Sequence, residues 1–318
     1  MKPAIAIADI HEAAGRIAPH VVRTPCMPSE SLSKELGLQL HFKAENLQHI
    51  GAFKARGATN AVFSLSEADA TKGVVTHSSG NHAAALSRAA SLRGIPAHVV
   101  MPHNSAPNKL ATVRSFGVEP ILCEPDADSR ANTCAELQEK TGATFIHPYD
   151  NPFVMAGQGT VGLEILEQVP DVEVILVPVG GGGLLSGLLT AIKALRPQVQ
   201  VIAAEPAWAD DAARSLKSRQ IEMPSRYDTI ADGLRTPLGE LTFPIIRTLL
   251  NDIILVSEDD IRKATRTIAE QVHLVAEPSG AVTFAAVRKA AYRFAGKSVV
   301  AVISGGNLDF GSCALGDS

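Results

Sequence analysis

The chain has 318 residues, of which 46% are hydrophobic and 19% charged, and its formal net charge is -4. This composition excludes a largely disordered protein, and a sequence with no basic excess and no Lys/Arg run lacks the electrostatic footprint of a nucleic-acid binder. Aromatic residues make up 4%, with one Trp and three Tyr, so no stacking platform for single strands is expected either. One core of simple shape is hard to extend over this length, and two lobes with a ligand cleft between them are expected.

The first residues, MKPAIAIADIHEAAGR, reach Asp9 and His11 too early for a signal-peptide core, and no apolar run has the length of a membrane span. Cys26, Cys123, Cys134 and Cys313 are scattered without a CxxC pair, as expected of reduced thiols rather than a disulfide framework or zinc site. These features predict a protein kept in the cytoplasm.

In chain order, the first suggestive segment is AENLQHIGAFKARGA, in which Lys54 follows Gly51-Ala52-Phe53 and opens an Ala-rich helical stretch. A lysine at a helix N-terminus feels the positive end of the dipole, which favours its neutral amine and suits Schiff-base chemistry. Taken alone, the pattern also describes a solvated surface lysine. Apolar runs rich in Val and Ile follow at Gly73 to Thr76, Ala97 to Met101 and Val118 to Leu122, then at Val174 to Val177, Val201 to Ala204 and Val299 to Ile303. Helical spacing fills the gaps, clearest over His82 to Leu92 and Leu184 to Leu195, so the pattern predicts a doubly wound, mostly parallel α/β sheet buried on both faces. The stretch HPYDNPFVMAGQGT reads as a crossing back to another lobe, giving a small domain over 73–149 and a discontinuous large one over 1–72 and 150–318.

Three turns at strand ends carry chemistry beside Lys54. In THSSGNHAAAL, Ser78 to Asn81 lie between a strand and a helix, where hydroxyls and free N–H groups form a carboxylate cradle; the alternative is that Ser78 or Ser79 caps the helix. GGGG at Gly180 to Gly183 follows a strand and precedes a helix, which makes an anion site. It fits neither a dinucleotide fingerprint, since Leu185 stands where the last glycine belongs, nor a P-loop. SGGN at Ser304 to Asn307 ends the last strand. Phosphate holder, amine, carboxylate holder and polar partner are together the parts needed for pyridoxal phosphate acting on an amino acid.

Over nearly its whole length the sequence resembles the fold-type II pyridoxal-phosphate enzymes, the tryptophan synthase β-like family, and within it the serine racemase, serine/threonine dehydratase and 3-hydroxyaspartate dehydratase branch. The resemblance implies a two-domain fold with a mobile small domain, a homodimer, and an internal aldimine at Lys54 with Phe53 packed near the cofactor ring. It implies that Asn81 bonds the ring hydroxyl, that Gly180, Gly181, Gly182, Gly183 and the N–H of Leu184 hold the phosphate, and that Ser304 faces the ring nitrogen. Substrate would be held by Ser78, Ser79, Gly80, Asn81 and His82, with Arg130 and Arg235 as cations for a carboxylate; Thr236 stands beside the latter. For either arginine a surface ion pair is the alternative. Glu277, in AEPSGAV, matches a family signature in a supporting role.

The implied reaction is β-elimination on a small 3-hydroxy amino acid (serine, threonine or 3-hydroxyaspartate) to a 2-oxo acid and ammonia, with Lys54 removing the α-proton. In the racemase branch the residue matching Ser79 delivers a proton to the opposite face, so serine-type racemisation is the alternative outcome. AAEPAWADDAARS resembles the family's divalent-cation site, with Glu205, the carbonyl of Ala209 and Asp211 as ligands for Mg²⁺ or Ca²⁺; the alternative is that Asp210 and Asp211 cap the following helix. Only LDFGSCALGDS follows SGGN, so no appended regulatory domain is expected.

Overall fold

The computed structural model describes residues 3–78 and 80–309. Helix α1 (Ile7–Ile17) leads to strand β1 (Cys26–Pro28), helix α2 (Glu30–Leu36), strand β2 (Gln39–Ala44) and helices α3 (Lys54–Phe63) and α4 (Glu67–Lys72). Next come β3 (Val74–His77), α5 (Asn81–Arg93), β4 (Ala97–Pro102), α6 (Pro107–Arg114), β5 (Ile121–Cys123), α7 (Ala127–Thr141) and β6 (Thr144–Phe145). After α8 (Pro152–Gln168) the chain alternates through β7 (Val174–Pro178), α9 (Gly183–Leu195), β8 (Gln200–Pro206) and α10 (Asp211–Ser218). It closes with α11 (Thr242–Leu249), β9 (Asp252–Val256), α12 (Glu258–Thr267), α13 (Pro278–Lys289) and β10 (Ser298–Ile303).

The strands make two sheets, a six-stranded one in the order β1-β2-β10-β7-β8-β9 and a four-stranded one in the order β5-β4-β3-β6. All pairs are parallel except β1 with β2. The α/β class and each of the six expected strands are present, although the run from Val118 pairs only over Ile121–Cys123. Continuous apolar strands are explained by cores on both faces of the large sheet. Val174, Leu176, Val299 and Ala301 point into a core shared with α12 and α13, while Ile175, Val177, Val300 and Val302 point into one shared with α1, α8 and α9.

The small sheet is built wholly from residues 74–145, yet its packing reaches further back along the chain. Ala58, Ala61 and Val62 of α3 share a core with Val74 of β3 and with Leu86 and Ala89 of α5. Helix α3 also meets α8 at glycines: a Cβ on Gly157 would lie 2.7 Å from the Gly57 Cα. The helix that begins with Lys54 is therefore packed between α5 on one side and α8 on the other. Cys26, Cys123 and Cys134 are unpaired thiols, whereas Cys313 lies outside the described residues. No helix among the described residues is long and apolar enough to cross a membrane.

Candidate active site

Lys54 is the first residue of α3, and its Nζ donates to the carbonyl of Pro148 at 2.7 Å. Burial lowers the amine to about 8, so it loses its proton much closer to neutrality than an ordinary lysine does. The turn in front of it is stitched to the SGGN turn: Phe53 N–H donates to the Ser304 carbonyl at 3.0 Å, Gly306 N–H to Gly51, and Ala52 bridges Gly305. Gly51 holds φ +70, and a Cβ there would meet Asn307 Oδ1 at 2.7 Å. Ser304 itself is buried at the end of β10.

Asn81 opens α5 after Gly80, and no side chain caps that helix, so the capping alternative for Ser78 is not what forms; Ser78 Oγ instead accepts from Gly80 N–H at 3.3 Å. Ala83 N–H donates to the Gly80 carbonyl at 3.0 Å, so among the described residues the N–H groups of Asn81 and His82 are the ones at the start of α5 that can meet an anion. Ser79 lies outside the described residues. The Asn81 amide is oriented from both sides, donating to Glu277 Oε1 at 2.9 Å and accepting from Asn307 Nδ2 at 2.8 Å. Glu277 is pushed up to about 7, first by burial and then by the charge of Asp232, with Asn81 working against the shift. His82 is buried with Nε2 on the Ile146 carbonyl at 3.2 Å. A carbonyl only accepts, so Nε2 carries the proton and Nδ1, which has no partner, presents a lone pair. Burial drives this imidazole well below its usual range.

The glycine loop sits between β7 and α9. Gly182 has φ +86, and a Cβ on Gly181 would overlap the Tyr149 ring. One on Gly180 would lie 2.9 Å from the Leu234 Cα and 3.3 Å from Thr236 Oγ1. With Gly183 and Leu184 opening α9 and no side-chain cap, the loop is a cradle of backbone N–H groups with walls too close for side chains. These observations fit a phosphate-bearing cofactor.

The two arginines differ. Arg130 lies on α7, its Nε donating to the Asp126 carbonyl at 3.1 Å, and its charge helps lower His77 at the end of β3, after burial. It thus faces the small-sheet edge. Arg235 is turned back on its own segment, with Nε 3.0 Å and Nη2 2.5 Å from the Thr229 carbonyl, and among the described residues neither it nor Arg130 pairs with a carboxylate.

The family model for pyridoxal-phosphate dependent enzymes matches residues 17–305. The chain belongs to that family. It is 47% identical over 301 residues to the beta-hydroxyaspartate dehydratase of Paracoccus denitrificans, covering 95% of this chain and 96% of the relative. It is 45% identical over 313 residues to the serine racemase of Oryza sativa subsp. indica, covering 96% and 92%. The structure of maize serine racemase superposes with a TM-score of 0.94 at 45% identity, covering 97% of this chain and 95% of that one.

In this pyridoxal-phosphate family member the acidic segment after β8 takes an arrangement that capping does not explain. Neither Asp210 nor Asp211 caps α10; the acceptor is Glu205, whose two oxygens take the N–H groups of Ala212 at 2.7 Å and Ala213 at 3.0 Å. Asp210 bonds Arg214, and Ala209 N–H donates to the Pro206 carbonyl. Both oxygens of buried Asp211 lack a partner. Burial raises Asp211 to about 7, and burial followed by the Asp211 charge raises Glu205 well above its usual range. No group of three or more His, Cys, Asp or Glu suited to a metal occurs among the described residues, so a cation here would rely on these two carboxylates, a carbonyl and water.

Several residues of the pocket escaped the sequence reading. Tyr149 lay in the segment read only as a crossing, although it forms a wall of the glycine loop. Asn307 ties together Ile50 and Asn81. Thr242 Oγ1 donates to the Gly181 carbonyl at 2.8 Å, holding the loop from beneath. Arg56, two places after Lys54 in the KARG motif, was assigned no role.

Proposed function

We propose that the protein is a pyridoxal-phosphate-dependent ammonia-lyase that eliminates water from a small 3-hydroxy amino acid and releases a 2-oxo acid and ammonia. The observation that carries this reading is the Lys54 amine at the start of α3, lowered by desolvation to about 8 and held by the Pro148 carbonyl at 2.7 Å. A base of that strength suits transfer of the substrate α-proton near neutral pH. Bound pyridoxal phosphate supplies the electron sink for charge developing at the α-carbon.

The chain's residues divide the remaining work. Gly180 to Gly183 and the N–H of Leu184 hold the phosphate, Phe53 packs beside the ring, and Asn81 and Ser304 are its polar partners. Ser78, Ser79, Gly80, Asn81 and His82 receive the substrate, whose carboxylate takes the uncapped N–H groups at the start of α5. Of the two arginines, Arg130 is the better placed for a second carboxylate, as on 3-hydroxyaspartate, because Arg235 is engaged with Thr229. Residues 73–149 act as a smaller closing domain against 1–72 and 150–318. Glu205, the Ala209 carbonyl and Asp211 hold Mg²⁺ or Ca²⁺, a reading supported by the unpartnered oxygens of Asp211, since buried charge without a partner is costly. The protein works as a cytoplasmic homodimer on a small-molecule substrate, without nucleic acid or membrane.

Serine-type racemisation is a second reading, favoured by Ser79 in the sequence and by the serine racemases among the relatives. One experiment addresses both. Purified protein is given L-serine, L-threonine and both diastereomers of 3-hydroxyaspartate, with and without chelator, and ammonia, 2-oxo acid and substrate chirality are measured. Ammonia and 2-oxo acid from at least one substrate are expected; no elimination from any would refute the lyase, and inversion outpacing elimination would make racemisation the principal activity. Ser79→Ala is expected to suppress racemisation more than elimination.

A further inference from the structure

Arg56 is fully buried, and its five N–H groups are all used. Nε and Nη2 bond the two oxygens of Glu45 at 2.7 and 2.8 Å. Nη1 and Nη2 bond the two oxygens of Glu164 at 2.6 and 2.9 Å, and Nη1 also bonds Thr160 Oγ1 at 3.2 Å. Lys43 completes the cluster from β2, its Nζ 2.5 Å from Glu164 Oε2 and 2.6 Å from the Thr24 carbonyl. Two cations thus meet two carboxylates, with Lys43, Arg56 and Glu45 fully buried and the Glu164 side chain 14% exposed. Glu45 follows β2, Glu164 lies on α8, and Arg56 is the third residue of α3.

A buried ion cluster is weak evidence of stability, because apolar residues of equal volume often stabilise as well. What two bidentate forks add is geometry: they fix both the position and the rotation of the planar guanidinium. On an α-helix, residues two apart point roughly 200° from each other, so a clamp on Arg56 sets the rotation of α3 from the side opposite Lys54. The clamp acts in the first turn of the helix, where Lys54 must reach the Pro148 carbonyl. From this arrangement we infer that Arg56, gripped by Glu45 and Glu164, is a positioning residue that sets the bearing of the Lys54 amine toward the cofactor. The inference rests on the proposed role of Lys54. Lysine at 56 would keep the charge and lose the fork, and a displacement of about 1 Å at the reacting group can cost roughly 100-fold in rate.

The test uses holoenzyme carrying Arg56→Lys or Glu164→Gln, with Lys54→Ala alongside. Cofactor dissociation constant, the pH at which the cofactor's visible absorbance titrates, kcat and KM on the best substrate, and hydrogen exchange of the peptide containing residues 53–58 are compared with wild type. Both clamp variants are expected to keep the wild-type circular dichroism while binding cofactor at least tenfold more weakly. Their absorbance titration should move, kcat should fall tenfold or more with KM within threefold, and exchange should quicken in that peptide. A folded clamp variant with wild-type cofactor affinity and titration would overturn the inference, and so would failure of both to fold, since the cluster would then serve the whole fold. Wild-type cofactor affinity in Lys54→Ala would instead remove the role of Lys54, whatever the clamp variants do.

Discussion

Two clusters of buried charge in this molecule are built on opposite principles. Around Arg56, two cations face two carboxylates and every guanidinium N–H has a partner; burial opposes ionisation of Glu45, but the adjacent guanidinium outweighs it and keeps that carboxyl below its usual range. Around Asp211, two carboxylates lie close together, the neighbouring Arg214 is bonded to Asp210 instead, and both Glu205 and Asp211 are raised, first by burial. Charge compensation is thus complete within the chain at the first cluster, whereas the second calls for a cation or a proton from outside. The first is suited to fixing a helix and the second to receiving an ion.

Neutralising one carboxylate should therefore have opposite effects in the two places. Glu45→Gln leaves the Arg56 and Lys43 charges undercompensated, and chemical denaturation should report a loss of about 3–5 kcal/mol. Asp211→Asn removes a like-charge neighbour and should stabilise chelator-treated protein by about 1–2 kcal/mol, allowing for solvent screening. The same substitution should abolish the rise in melting temperature that added Mg²⁺ or Ca²⁺ gives the wild type. Destabilisation of chelated protein by Asp211→Asn would erase the contrast.

Lys54 is a third and milder case, a single buried cation. In cofactor-free protein it gives up its proton at about 8, whereas its ordinary value is 10.5. The unfolded chain therefore binds more protons between those values, and stability should rise as pH increases across that window. Lys54→Met should flatten the rise in a melting-temperature series, and an unchanged slope would show that the amine is not desolvated in solution.

How much of this was legible follows from which forces act locally. Val174–Pro178 and Ser298–Ile303 read as strands because both faces are apolar, and the four glycines at 180–183 declare a backbone that nothing larger can replace. Strand β2, QLHFKA, was missed because Lys43 looks like a surface residue until Glu164, 121 positions away, is known to meet it. The roles of Arg56 and Tyr149 were hidden for the same reason: their partners, Glu164 and the glycine loop, are brought to them only by the packing of α3 on α8 and the approach of residue 149 to β7. Arg235 shows the converse, a site residue expected from resemblance whose guanidinium folds back onto a local carbonyl. Asp211 was proposed as a ligand, but its unpartnered oxygens and the capping role of Glu205 became visible only in three dimensions.

The most direct test of the account is borohydride reduction of the holoenzyme followed by peptide mass mapping. The account predicts a cofactor-derived mass increment on the peptide containing Lys54 and its loss in Lys54→Ala together with elimination activity. A modified lysine elsewhere, or full elimination activity in Lys54→Ala, would contradict it.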